Sequence, residues 1–276
     1  MPRLLGIFAH PDDESFGPGA ALAKYAREGV EVHVCIATDG AVGEVDPKLL
    51  ADSGCTTLAE LRAGELACAA QALGVQLHTL KYRDSGMAGA EGNEHPDSLC
   101  QADLDAVAGD IVALCRQVRP DVVIAHDITG GYFHPDHIKV SQAVSRAFDL
   151  MDGDESRPDR LYHTVFPRSQ VVWLVRILRL LHLLRVRGTD PTRFGENGDI
   201  DLTHLGVPAD EIHVRLDVSD YLAVKAQASA CHRSQGGGGK PRFVPAALWL
   251  RFQRYEAFSQ VWPTPARSHS DLFGDG

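Results

Sequence analysis

Short apolar runs alternate with longer stretches of helical periodicity through residues 1–150 of the chain. The apolar runs fall at 4–9, 30–37, 75–80 and 121–125, and the helical stretches fall at 17–28, 57–73, 103–118 and 136–151. Apolar runs of this length are typical of strands that are buried on both faces. The repeated strand–helix order therefore predicts an α/β fold: a Rossmann-like, mostly parallel sheet with helices on both faces.

The second half of the chain is less regular. We interpret 1–150 as a Rossmann-like core and 151–276 as a smaller C-terminal elaboration of the same domain. Within the elaboration, we expect a strand at 211–218, a helix at 219–231, a flexible glycine loop at 236–239 and a frayed end from Pro263 onward. The apolar stretch 171–186 also contains arginines, and we expect a helix packed over the core or a pocket. A helix lying on a membrane surface is the alternative.

The loop after the first strand lacks the G-x-G-x-x-G pattern of dinucleotide-binding folds, so we predict no dinucleotide. Polar clusters follow three of the predicted strands, at 10–14, 83–86 and 126–137. In open α/β sheets the ligand binds beyond the carboxyl ends of the strands. We therefore expect these three clusters to converge on one site.

Two of the clusters contain a His-Pro-Asp turn. The first reads His-Pro-Asp-Asp-Glu at 10–14, and the second reads His-Pro-Asp-His at 134–137. His10, Asp13 and His137 offer the nitrogen and oxygen donors that a catalytic zinc ion needs, with a position left open for water. Two histidines and one carboxylate also suit non-haem iron(II), so the spacing predicts a metal but leaves Zn²⁺ and Fe²⁺ both open.

The two turns together resemble the LmbE-like, or PIG-L, family of zinc N-deacetylases. Further matching segments lie at 60–65, 82–87 and 225–235, so the resemblance covers most of the chain from residue 9 to residue 235. The segments 82–87 (Tyr-Arg-Asp-Ser-Gly-Met) and 93–96 (Asn-Glu-His-Pro) resemble the branch that makes or recycles mycothiol and bacillithiol.

The resemblance implies a role for each residue of the site. His10, Asp13 and His137 become the metal ligands, and Asp12 becomes the general base. His134, as an imidazolium, and Tyr132 would stabilise the developing oxyanion. The family match also favours Arg62 as a contact to the sugar or the aglycone. The position of Asp84 at the end of a strand suits hydrogen bonds to sugar hydroxyls, and Asp136, as a partner of His134, and His126 are expected to support the metal loop.

Several of these residues have plainer interpretations. Arg62 and Glu65 could form a solvated ion pair on one helix, and Asp84 could cap a turn. Glu14 is predicted as a structural acid bonded to the backbone, and His232 as a substrate or interface residue. Phe133 stands where the family pattern has glycine, which puts the pocket shape and the substrate in doubt.

Composition limits the partners. The formal net charge of −10 opposes a nucleic-acid partner, and no apolar stretch is long enough to span a membrane. Six cysteines without a C-x-x-C pair are predicted as buried thiols of a reducing compartment, and the N-terminus lacks the pattern of a signal peptide. We therefore expect a cytoplasmic protein. A homo-oligomer is possible.

The function that follows is deacetylation of an N-acetylglucosamine-type amino sugar, with metal-bound water as the nucleophile and Asp12 as its base. An amidase for thiol-sugar S-conjugates would use the same chemistry with a different pocket. A sugar-binding module without catalysis is the third possibility. We expect 1–150 to hold the metal and 151–276 to shape the substrate pocket.

Overall fold

The computed structural model describes residues 1–185, 193–194, 200–238, 246–265 and 268–274. The strands are β1 (Arg3–Phe8), β2 (Glu31–Thr38), β3 (Gln76–Tyr82), β4 (Val122–His126), β5 (Arg160–Val165), β6 (Arg193–Phe194), β7 (Ile200–Asp201), β8 (Val214–Asp217) and β9 (Tyr255–Trp262). The helices are α1 (Asp13–Phe16), α2 (Gly19–Arg27), α3 (Pro47–Ser53), α4 (Leu58–Leu73), α5 (Leu104–Val118), α6 (Gly130–Phe133), α7 (Pro135–Leu150), α8 (Arg168–Leu183), α9 (Leu222–Cys231) and α10 (Ala246–Gln253). No described helix is both long enough and apolar enough to cross a membrane.

Seven strands form one sheet in the order β3-β2-β1-β4-β5-β9-β8. The five strands β1 to β5 are parallel, whereas β9 runs antiparallel to both β5 and β8. The chain builds outward from β1 to β2 and β3, then returns to the other side of β1 with β4. This reversal makes the gap between the carboxyl ends of β1 and β4 the topological switch point, where ligands bind in such sheets.

Helices cover both faces of the sheet. Alternate residues of β1 point to opposite faces: Leu4 and Phe8 pack with α2, α4 and α9, and Leu5 and Ile7 pack with α5 and α7. All four side chains are fully buried. The predicted α/β fold, with a mostly parallel sheet and helices on both faces, is confirmed.

The helices of the core begin and end where their capping residues stand. The side chain of Thr57 accepts a hydrogen bond from the backbone of Glu60 at 3.2 Å and so begins α4, and Gly74 ends that helix in the left-handed conformation. Asp103 caps α5 in the same way, through the backbone N–H of Ala106. These bounds lie within one or two residues of the predicted helices.

Three expectations for the rest of the chain are corrected. The cysteines are not all buried thiols: Cys68 on α4 is exposed and forms a disulfide with Cys231 on α9, 163 residues away in sequence. The end of the chain is not simply frayed, because Leu272 is fully buried in the core and its backbone N–H donates to the Tyr25 hydroxyl. Strands β5 and β9, which pair with each other, were not predicted at all.

The apolar stretch at 171–186 falls mainly on α8, with residue 186 outside the described residues. Val175 and Leu178 pack with Leu202 in a small cluster that is separate from the two clusters flanking the sheet, so the expected packing over the core is not seen, and packing over a pocket stays a prediction. The predicted glycine loop begins within a 3₁₀ segment, Arg233–Gly238, and residue 239 lies outside the described residues.

Candidate active site

The first histidine–aspartate turn follows directly from the end of β1. Asp12 lies in this turn with φ 130°, a conformation that non-glycine residues rarely adopt, and α1 begins at the next residue. The second turn follows β4. There His134 caps α7, its Nδ1 accepting a hydrogen bond from the backbone N–H of Asp136 at 3.2 Å, and Pro135 occupies the first helical position. Because β1 and β4 are adjacent, the two turns meet.

The three predicted metal ligands converge on one point. The distance from His10 Nδ1 to His137 Nε2 is 3.1 Å, and Asp13 Oδ2 lies 3.6 Å from the first nitrogen and 3.3 Å from the second. A tetrahedral zinc site with bonds near 2.0–2.1 Å separates its ligand atoms by about 3.3–3.4 Å. The triangle of side-chain atoms therefore has the size that such an ion requires.

Hydrogen bonds on the outer sides of the His10 and His137 rings determine which nitrogen of each ring carries its proton and which faces the triangle. His137 Nδ1 lies 3.1 Å from the Gly130 carbonyl, and His10 Nε2 lies 3.2 Å from an Asp136 oxygen. Both partners only accept hydrogen bonds, so these nitrogens carry the protons and the opposite nitrogens present lone pairs. When both rings are neutral, two lone pairs and the carboxylate of Asp13 thus face one another, an arrangement that suits a cation: a metal ion, or in its place a proton on His10 Nδ1. The residues fit a metal ion.

Electrostatics at the triangle also favour positive charge. Burial lowers the pKa of His10, but the hydrogen bonds that its ring donates to the carboxylates of Asp13, Asp136 and Asp84 outweigh burial and raise that pKa well above its ordinary value. Burial would raise the pKa of Asp13, yet His137 and His126 hold it well below the ordinary value. Burial lowers the pKa of His137 to about 4, so that ring is neutral at neutral pH, as a metal ligand must be.

The residues predicted to support the metal loop lie around the triangle. His126 stacks on His137 with ring centroids 3.8 Å apart, and its Nε2 accepts a hydrogen bond from the backbone N–H of Ala9 at 3.1 Å. Asp136 is fully buried and is held by the backbone N–H of Ser85 at 2.9 Å and by the hydroxyl of the same serine. The carboxylate of Asp136 bonds to His10 rather than to the ring of His134, which corrects the predicted pairing. Sequence reasoning also missed Ser85.

His134 and Tyr132 border the same point, with ring centroids 4.9 and 5.0 Å from that of His137. Burial and the neighbouring His10 lower the pKa of His134 to about 2. Because its Nδ1 accepts a hydrogen bond, the neutral ring carries its proton on Nε2. His134 is therefore placed as a neutral donor, not as the imidazolium that the resemblance implied. Burial raises the pKa of Tyr132 well above its ordinary value, so its hydroxyl keeps a proton to donate.

Arg62 lies behind Asp12 and is only 3% exposed. Its Nη2 donates to Asp12 Oδ2 at 3.1 Å and to the Pro11 carbonyl at 2.6 Å, and its Nη1 donates to the Gly40 carbonyl at 3.0 Å. The guanidinium is packed so closely that a Cβ on Gly40 would lie 2.7 Å from it. The solvated ion pair with Glu65 is therefore excluded, because both side chains are buried and Glu65 instead accepts hydrogen bonds from Ser234.

The carboxyl group of Asp12 has an environment suited to proton transfer. The pKa of Asp12 is raised to about 7, because burial and the neighbouring Asp13 raise it by more than Arg62 lowers it. A carboxyl group that titrates near neutral pH can both take and return a proton.

Asp84 is 2% exposed and its oxygens are occupied. They accept hydrogen bonds from the backbone N–H groups of Gly86 at 2.9 Å and Val42 at 3.2 Å, and one lies 3.4 Å from His10 Nε2. Burial would raise the pKa of Asp84, but His10 and the Gly86 amide lower it. The structure thus places Asp84 as a turn cap beside the metal ligands, and its contact with a sugar stays a prediction.

Glu14 and His232 form a buried pair that the sequence pattern did not reveal. Both are fully buried, and Nε2 of His232 lies 2.7 Å from a Glu14 oxygen. The predicted structural role of Glu14 agrees with its other contact, a hydrogen bond from the backbone N–H of Asp12 at 2.9 Å. His232 is therefore not an exposed substrate or interface residue.

With the site described, the comparisons with known proteins are informative. The sequence profile of the family described as GlcNAc-PI de-N-acetylase, PIG-L, matches residues 5–148. The chain belongs to the PIG-L family. The matched range contains both histidine–aspartate turns and every residue that we assign to the metal triangle, and the predicted family is confirmed.

Among curated PIG-L relatives, a protein of Thermobispora bispora is 38% identical over 88% of this chain and 82% of its own length. One of Nocardiopsis dassonvillei is 37% identical over 98% of both chains. Both are named 1D-myo-inositol 2-acetamido-2-deoxy-alpha-D-glucopyranoside deacetylase.

Solved structures share the PIG-L fold at lower identity. The N,N′-diacetylchitobiose deacetylase of Pyrococcus horikoshii matches with a TM-score of 0.55 and 23% identity over 94% of this chain and 83% of its own. A 4-carboxy-2-hydroxymuconate hydratase from Pseudomonas putida matches with a TM-score of 0.59 and 17% identity over 98% of this chain and 100% of its own. Since a deacetylase and a hydratase share this architecture, the fold alone does not determine the reaction.

Proposed function

We propose that this protein is a metal-dependent hydrolase that removes the acetyl group from the amine of an N-acetylglucosamine-type sugar. The observation that carries the proposal is the triangle of His10, Asp13 and His137, with the carboxyl group of Asp12 beside it. This arrangement puts a metal site and a proton-transfer group next to each other at the switch point of the sheet. The names of the relatives supply the reaction and the class of substrate.

We infer that the metal is zinc, with iron(II) as the alternative, because both accept two imidazoles and one carboxylate. A metal ion bound at this point would make water more acidic and polarise the carbonyl group of the amide. His10, Asp13 and His137 would hold it.

The chain's own groups then carry the proton transfers. Asp12 takes a proton from the attacking water and returns it to the departing amine, because its pKa near neutral allows both steps. Nε2–H of His134 and the hydroxyl of Tyr132 donate to the oxygen on which negative charge develops. Arg62 holds the carboxylate of Asp12 in place, and Asp84 orients His10 and borders the position of the sugar.

The substrate that we propose carries inositol as its aglycone, as the names of the relatives state for those proteins. Residues 151–276 would shape the aglycone pocket, and Phe133, which is 47% exposed beside the metal turn, would form part of its rim. An amidase for thiol-sugar S-conjugates is the alternative within the same chemistry. The cytoplasmic location and a homo-oligomeric state stay predictions.

The test is a panel of N-acyl substrates assayed for released amine, with metal content measured on the same preparation. N-acetylglucosaminyl-inositol should be hydrolysed by the zinc- or iron-loaded protein, and a chelated sample should be inactive until metal is restored. His10→Ala should lose both metal and turnover. A metal-loaded wild-type protein that releases no amine from any N-acetylglucosaminide would refute the proposed function, and preference for an S-conjugate would move the assignment to the amidase.

A further inference from the structure

Glu14 connects the proposed base to the second half of the chain. One of its carboxylate oxygens accepts the backbone N–H of Asp12 at 2.9 Å. The other accepts the Ser15 hydroxyl at 2.6 Å and lies 2.7 Å from Nε2 of His232, which is 218 residues away in sequence. Glu14 and His232 are both fully buried, so solvent cannot replace either contact.

Among the described residues, the ring of His232 makes only this one hydrogen bond. Its other ring nitrogen, Nδ1, has no hydrogen-bond partner among the residues that the structure describes. A buried imidazole that leaves one nitrogen unpaired costs stability, so its presence is best explained by what the other nitrogen does. That nitrogen bonds to the residue that holds Asp12.

The segment that carries His232 is itself firmly attached. His232 follows the last residue of α9, Cys231, whose disulfide to Cys68 joins this segment to α4. Two residues further on, the backbone N–H and hydroxyl of Ser234 donate to Glu65, also on α4, at 2.8 and 2.6 Å. The imidazole is therefore presented to Glu14 from a rigid support.

The backbone of Asp12 needs such support. A non-glycine residue at φ 130° is strained, and this conformation persists only where its surroundings hold it there. Arg62 holds the side chain of Asp12 from one side, and Glu14 holds its backbone N–H from the other. Burial lowers the pKa of His232, but the hydrogen bond to Glu14 outweighs it and raises that pKa, which favours an imidazolium–carboxylate pair.

From these contacts we infer that His232 is a positioning residue, which acts through Glu14 to hold Asp12 in the conformation needed for proton transfer. The inference rests on the proposed function, in which Asp12 is the base. Without the donor on His232, the buried carboxylate of Glu14 loses the imidazole that fixes its orientation in the described structure, and it turns away from Asp12. The backbone N–H of Asp12 then loses its acceptor, and the residue relaxes toward an ordinary backbone conformation.

Two conservative replacements separate positioning from packing. The amide nitrogen of glutamine reaches about as far as Nε2 of histidine, whereas that of asparagine reaches only as far as Nδ1. His232→Gln therefore keeps the donor to Glu14, and His232→Asn loses it while leaving a polar side chain of smaller size. His33→Leu is the control, since His33 is also a buried histidine, 5% exposed, but lies near the amino end of β2, away from the site.

We expect His232→Asn to lower kcat by about 10- to 100-fold, the range seen when outer partners of a catalytic group are removed. KM and metal content should stay close to wild type, and His232→Gln should restore most of kcat. If both variants keep wild-type kcat, the inference is overturned. It is also overturned if both lose kcat, metal and thermal stability together, because that pattern indicates packing alone.

A measurement that needs no turnover separates this inference from the proposed function. In protein labelled with ¹⁵N-aspartate, the amide of Asp12 is identified by its absence from the spectrum of Asp12→Asn. Its hydrogen exchange should be slow in wild type and in His232→Gln, and fast in His232→Asn. If the wild-type protein hydrolyses no amino-sugar amide, the proposed function is refuted, but the exchange rate of the Asp12 amide still tests whether His232 positions Asp12. Unchanged exchange of the Asp12 amide in His232→Asn would overturn the inference. If His232→Asn does not fold, Glu14→Leu, which has no acceptor for the Asp12 N–H, should show the same fast exchange, and slow exchange there would overturn it.

Discussion

Replacing Arg62 by methionine should damage both the stability and the chemistry of this protein. The guanidinium is 3% exposed, and its ion pair with Asp12 is accompanied by hydrogen bonds to the Gly40 and Pro11 carbonyls. Methionine is apolar and unbranched, so it keeps much of the volume but leaves the half-buried carboxylate of Asp12 and the Pro11 carbonyl without this donor, while the Gly40 carbonyl keeps only the backbone N–H of Gly43. Removing one partner of a buried ion pair costs about 3–5 kcal/mol.

The magnitude decides between two interpretations of Arg62. A loss of about 3 kcal/mol corresponds to a fall in melting temperature of roughly 6–12 °C for a chain of this size. Because Asp12 loses the group that orients it, kcat should fall more than KM rises. The family resemblance implied a contact to the sugar or aglycone, and for an aglycone contact Arg62→Ala would act mainly on KM.

The assay compares thermal unfolding, metal content and kinetics of Arg62→Met with those of Arg146→Met. Arg146 also pairs with an aspartate, Asp105, but at the surface, where such a pair contributes about 0–1 kcal/mol. An Arg62→Met protein that unfolds within 2 °C of wild type and differs only in KM would show that Arg62 contacts the substrate and does not hold Asp12.

Four further outcomes are expected. Asp12→Asn should keep its metal but lose about 10²- to 10⁴-fold in hydrolysis, and near-normal turnover would move the base elsewhere. Phe133→Gly should raise the free energy of unfolding by about 0.5–1 kcal/mol. The backbone of Phe133 is left-handed, with φ 68°, and the strain that glycine relieves there exceeds the extra chain entropy that glycine loses on folding. An unchanged melting curve would contradict this. Burial lowers the pKa of His163 to about 4 in the folded protein, so the unfolded chain binds the proton more readily and the free energy of unfolding falls as the pH drops from about 6.5 toward 4. Between pH 7.5 and pH 5, His163→Phe should lose about 2 kcal/mol less of this free energy than wild type. Equal acid sensitivity of the two proteins would contradict this. Thiol titration in denaturant should count four thiols before reduction and six after, and six throughout would exclude the disulfide between Cys68 and Cys231.

Local patterns in the sequence predicted the parts of this fold that local physics determines. The core strands and helices of residues 1–150 appeared as apolar runs and helical periods, with Thr57 and Gly74 marking the two ends of α4. The convergence of the turns at 10–14 and 134–137 followed from topology, because loops after neighbouring parallel strands meet at one edge. The candidate metal ligands needed no more than this.

Strands β5 and β9 were missed because each finds its partner only in the assembled sheet, where β9 runs against the parallel direction. The burial of a polar group is equally invisible to local periodicity. Arg62 lies one helical turn from Glu65, so the sequence suggested a surface pair, yet folding turns both inward to partners on other elements.

The tertiary structure alone decided how Asp12 is held. The bond between Glu14 and His232 joins residues 218 positions apart, and the disulfide beside it joins residues 163 apart. No short-range signal marks such pairs, because the energy of each depends on burial, and burial is produced by the whole packed fold. The sequence by itself determined which groups could bind a metal and move a proton. The packing of α4 and α9 against the first turn decided which of them are fixed in place to do so.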